Sequence, residues 1–80
     1  MKLNEAFGRV ITEERKRSRL AAETLALDAG MDPSTLRNTE HGRNNPGLAA
    51  MEAIAEGLGK PLSVLIYRAE QAVNESDHTD

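Results

Sequence analysis

Apolar residues recur along this chain at helical spacing, and the stretches between them are short and polar. Leu3, Phe7, Val10 and Ile11 stand at i, i+4, i+7 and i+8, which is one face of a helix. With Asn4 as its N-cap, the pattern predicts a first helix over about 5–18. A second, over about 21–29, turns Leu25, Ala26 and Ala29 inward, and its small alanines let another helix approach closely. Asp32 caps a third helix and Pro33 fills its first position, where a missing N–H does no harm. Leu36 anchors that helix and Gly42 ends it. A polar loop, RNNP, leads to a fourth stripe of Leu48, Met51, Ile54, Ala55 and Leu58, closed by Gly57 and Gly59. Pro61 opens a fifth helix with Leu62, Leu65, Ile66, Ala69 and Val73 on one face, fading near Asn74. No segment alternates with the period of two that a half-buried strand needs. The expectation is an all-α fold of five helices over residues 1–74, with 75–80 a disordered polar tail.

The third helix differs from the others. Its apolar residues are few, and Ser34, Arg37, Asn38 and His41 fall at i, i+3, i+4 and i+7 on one continuous polar face. Gly30 lies between the second and third helices, where a sharp turn needs a residue tolerant of positive φ. Together residues 20–42 read as a helix-turn-helix whose second helix is shaped to be read from outside.

Composition bounds what such a chain does. At 80 residues it is one small domain, and a chain of that order buries only about 60% of the surface its unfolded form exposes, which disfavours a deep catalytic cleft. It has no cysteine, so neither disulfides nor thiolate metal sites staple it, and well-packed helices or a partner chain must hold it. With no basic-then-apolar leader and no apolar stretch long enough to span a bilayer, a cytoplasmic protein is expected. The net charge of −3 runs against DNA binding, but it is unevenly placed. Residues 9–43 carry seven Lys or Arg against six acids, whereas 44–80 carry two against six. A local positive surface is therefore compatible with an acidic total.

Gly8, Arg15, the run Glu23-x-Leu25-Ala26, Gly30, Leu36, Glu40-x-Gly42, Pro46, Ile54-Ala55-x-x-Leu58 and Leu65 follow one another in a recognisable order and spacing. In these positions the chain resembles the lambda-repressor-like, Cro/C1-type helix-turn-helix domains, the XRE family. The resemblance implies a recognition helix over 33–40 lying in the major groove. Ser34, Arg37 and Asn38 would face base edges, Arg37 suiting guanine N7 and O6 and Asn38 suiting adenine. Thr35, His41, Arg43 and Asn44 would meet the sugar-phosphate backbone. Arg15 and Glu40 match a pair that ties the first helix to the third, a planar guanidinium satisfying a partly buried carboxylate with two hydrogen bonds. Two departures stand out. Ala21 and Ala22 replace the hydroxyl and amide residues that usually cap the second helix, so phosphate contact there falls to backbone N–H groups, such as that of Ala22, and to Arg19. Pro33 occupies a position that is often a base-reading side chain, which shifts specificity to fewer residues or to DNA shape.

Other chemistry is weakly represented. His41 and His78 are far apart in sequence and lack ligand partners, so no metal site is expected, and no cofactor. Glu13 and Glu14 resemble paired catalytic acids only superficially, because adjacent helix positions point apart. No enzyme activity is expected. The fifth helix carries apolar residues beyond a single stripe, and Val64, Leu65 and Tyr67 are candidates for a self-association surface. Two-fold pairing would set two recognition helices about one DNA turn apart on a roughly palindromic operator. The expected function is a sequence-specific DNA-binding regulator of transcription, a small homodimeric repressor or autoregulator. Phage-type repressors, restriction-modification controllers and antitoxins all fit. The alternative is an antitoxin-type or other protein-interaction module of the same fold, with its own protein partner and little DNA binding.

Overall fold

The computed structural model describes residues 1–77 as α1 (Leu3–Arg17), α2 (Ala22–Asp28), α3 (Pro33–Glu40), α4 (Leu48–Leu58) and α5 (Leu62–Asp77). Among the described residues there is no strand, and no helix is long and apolar enough to cross a membrane. The core gathers Ala6, Phe7, Val10 and Ile11 of α1, Leu25 and Ala26 of α2, Leu36 of α3, Ile54, Ala55 and Leu58 of α4, and Leu65 and Ala69 of α5. These are mostly the apolar positions of the helical stripes, closed against one another because no single amphipathic helix can bury its own face. α1 packs on both α3 and α5, and α2 packs on α3 and α4.

Two glycines set the geometry that matters for α3. Gly30 adopts φ +67° and carries the chain from α2 to α3, the left-handed conformation that side chains other than glycine rarely take. Gly8 is buried where α1 crosses the end of α3. A Cβ built on it would stand 2.3 Å from the Thr39 carbonyl oxygen and 2.6 Å from that of Glu40.

Several expectations are corrected. α1 begins at Leu3, and Lys2 holds the cap position, its backbone N–H donating to Glu5 Oε1 at 2.8 Å. Asn4 lies inside the helix because its amide is engaged elsewhere, donating to the carbonyl oxygens of Gly42 and Asn44 at 3.2 Å each. Gly57 does not close α4 but sits within it. Its missing side chain leaves the space that Leu25 fills, since a Cβ there would lie 2.7 Å from Leu25 Cδ1. Leu48, expected on the inner stripe, is 71% exposed, because α4 buries only its second half, at Ile54, Ala55 and Leu58. Leu65 is completely buried, so it belongs to the core and not to any outer surface. α5 continues to Asp77, through residues expected in the tail. No Pro or Gly breaks it there, and the α-amino group of Met1 lies 4.0 Å from the Asp77 carboxylate. His78 and the rest of the expected tail lie outside the described residues.

Candidate nucleic-acid interface

α3 starts as its residues dictate: Asp32 accepts from the Ser34 backbone N–H at 3.1 Å, with Pro33 at the first position of the helix. The Ser34 hydroxyl also donates to the Asp32 carboxylate. That hydroxyl and the backbone N–H hold the Asp32 carboxyl below its usual range. The helix then divides cleanly. Leu36 and Thr39 are buried, and Thr39 satisfies its hydroxyl by donating to the Thr35 carbonyl oxygen at 3.0 Å. Ser34, Thr35, Arg37, Asn38 and His41 are all exposed, so the structure brings these expected contact residues together on one helix and its last turn.

The exposed side chains are ordered by contacts of their own. Arg37 Nη2 donates to Glu23 Oε2 of α2 at 2.5 Å. His41 Nδ1 lies 2.7 Å from the Arg37 carbonyl oxygen; as that oxygen only accepts, Nδ1 is the donor in this contact. Arg43 is exposed just after the end of the helix, its backbone N–H bound to the Asn38 carbonyl oxygen at 2.9 Å. Asn44 is placed differently. It is half-buried, its carbonyl takes the Asn4 amide, and its Oδ1 is enclosed without a hydrogen-bond partner.

The scaffold behind α3 is held by Arg15 and Glu40. Arg15 Nε and Nη2 reach the two Glu40 oxygens at 2.6 and 3.1 Å, and Nη1 donates to the Leu20 carbonyl oxygen at 2.9 Å. The Glu40 carboxylate raises the Arg15 pKa further, keeping the guanidinium charged. One side chain thus fastens the end of α3 to α1 and to the turn that leads into α2. That turn carries Arg19, exposed and at φ +56°. Ala21, at the cap of α2, offers no side-chain hydrogen bond, and Ala22 is half-buried.

Three contacts escaped sequence reasoning: Asn4 on the loop after α3, Glu23 on Arg37, and a buried cluster on Glu14. The Glu14 side chain is enclosed among Arg68 Nη1 at 2.7 Å, Arg17 Nη1 at 3.4 Å and Lys60 Nζ at 3.8 Å. The hydrogen bond from Arg68 outweighs burial and holds the carboxyl below its ordinary range. The available signal was a carboxylate four residues after Val10 and seven after Phe7, on the face that had to be buried.

Comparison with known proteins matches residues 6–64 to the model of a helix-turn-helix domain. The chain belongs to the helix-turn-helix domain family. Among solved structures, this helix-turn-helix protein is similar to the restriction-modification controller protein C.AhdI from Aeromonas hydrophila. The identity is 31%, covering 78% of this chain and 94% of that one, with a TM-score of 0.76. It shares its fold with the clp gene regulator ClgR from C. glutamicum, at 21% identity over 90% of this chain and 94% of that one, TM-score 0.85. The controller protein C.Esp1396I is similar in fold too, at 20% identity over 94% of this chain and 97% of that one, TM-score 0.83. Comparison with curated protein sequences finds no match.

Proposed function

We propose that this helix-turn-helix protein is a homodimeric regulator of transcription that reads duplex DNA through α3. The observation that carries the reading is the division of α3 into a locked inner side, Leu36, Thr39 and Glu40, and an exposed outer side, Ser34, Arg37 and Asn38. A helix held rigidly from behind presents its outer side chains at low entropic cost, which base readout requires. In this reading Arg37 and Asn38 meet base edges with Ser34. Thr35, His41, Arg43, Asn44, Arg19 and the Ala22 backbone serve the phosphates. The kinship with a restriction-modification controller supports a regulatory role.

Pairing is proposed through the outer side of α5. With Leu65 assigned to the core, the surface reduces to Val64 and Tyr67, 42% and 62% exposed. A groove of about 300 Å³ beside Tyr67 is lined by Leu3, Tyr67 and Val73 together with the polar Glu70, Gln71 and Asn74. Selection of bound sequences from a random duplex pool tests the function. Two-fold-related half-sites about one helical turn apart are expected, and a pool with no enriched sequence contradicts the proposal.

A further inference from the structure

Glu23 stands out as an acid placed within the half of the chain that must approach a polyanion. It lies in the first turn of α2, and its Oε2 takes a hydrogen bond from Arg37 Nη2 at 2.5 Å. Both side chains are largely exposed, at 63% and 50%, so the contact adds little to stability and is free to serve another purpose. Glu23 is the side-chain partner of the Arg37 guanidinium.

We propose that Glu23 is a positioning residue that buttresses Arg37 and thereby sets the selectivity of DNA binding. This inference rests on Arg37 being a base-reading residue. A guanidinium has five N–H donors in a fixed fork, and the Glu23 contact takes one of them. The rest of the fork stays available for the paired acceptors on a guanine edge. Left alone, an exposed arginine is a mobile cation that any phosphate attracts, whatever the sequence. The carboxylate changes both properties. It offsets the charge that would bind phosphate indiscriminately, and it restrains the rotamers, so that a correctly placed acceptor pair is favoured over a diffuse negative field.

The test compares wild type, Glu23→Gln, Arg37→Ala and the double variant. Each is titrated with a selected duplex, with that duplex altered at single base pairs, and with a scrambled duplex, at several salt concentrations. Glu23→Gln is expected to tighten binding to the scrambled duplex and to steepen its salt dependence by about one counterion. It is also expected to cut the preference at the base pair read by Arg37 by roughly threefold to tenfold, the scale of one side chain's ordering. In the Arg37→Ala background the same substitution must leave that preference unchanged, which a merely structural role for Glu23 does not require. If Arg37→Ala relaxes the preference and Glu23→Gln leaves it at the wild-type value, the buttress is wrong and base reading by Arg37 stands. If Arg37→Ala relaxes nothing, the base-reading role fails and the buttress falls with it.

Discussion

Arg37 and Arg43 are two exposed cations only six positions apart, yet their surroundings differ. Arg37 projects from the middle of a helix whose opposite side is fully buried, and its guanidinium is already oriented by Glu23. Arg43 follows the helix, where the chain turns away behind Gly42. Arg37→Ala should therefore cost about 1–3 kcal/mol on a preferred duplex and relax choice at one base pair. Arg43→Ala should weaken specific and unrelated duplexes about equally and reduce the salt slope by about one. Equilibrium titration of both variants on both duplexes checks this, and identical behaviour of the two contradicts the division of labour.

At this scale the sequence was partly legible. Asp32, Pro33 and Gly30 act locally, through a cap, a fixed φ and a positive φ, and local chemistry is written in local sequence. Asn4 illustrates the opposite. Its amide is drawn to carbonyl oxygens about forty residues away, a partner that no window around Asn4 contains. Glu23 and Arg37 likewise meet only because the Gly30 turn folds α2 against α3.

The elements are held in register by two partly buried ionic contacts. Arg15 fastens α3 to α1 through Glu40, and Glu14 fastens α1 to α5 and to the turn before it through Arg68 and Lys60. Gly8 lets α1 and α3 approach closely enough for the first of these to form. Glu14 makes stability depend on pH in a definite sense. Its folded pKa is lowered, chiefly by the Arg68 hydrogen bond, so its contribution is complete above the unfolded carboxyl pKa of about 4.3 and is lost as pH falls through the folded value. Glu14→Gln should unfold at lower urea concentration than wild type at pH 7, and the two midpoints should converge as the pH drops below about 4. A difference that stays constant across that range contradicts the assignment. Helical periodicity predicted which stripes would be buried but not how far along each stripe a neighbour would reach. Leu48 at the start of α4 therefore came out exposed, and Glu14, polar but on the inner face of α1, came out buried.

For the whole molecule, the acidic total and the DNA reading are reconciled by placement. Most of the excess acid lies beyond residue 43, outside the helix-turn-helix segment of the sequence, and Arg37 and Arg43 are both exposed, so an acidic total is compatible with a local cationic surface. The proposed pairing would extend the readout, because one short recognition helix specifies few bases and two specify a site. Tyr67→Lys should shift the protein from dimer toward monomer in sedimentation at micromolar concentration and leave the monomer folded, since Tyr67 lies outside the core. A wild-type protein that is monomeric throughout contradicts the α5 surface. Whether α3 reads duplex DNA is decided by titrating the wild-type protein with a selected duplex and a scrambled one across a range of salt concentrations. A reading role for α3 requires binding that weakens steeply with salt on both duplexes and a preference for the selected one that persists as salt rises. Binding that is absent, or indifferent to both salt and sequence, would contradict it.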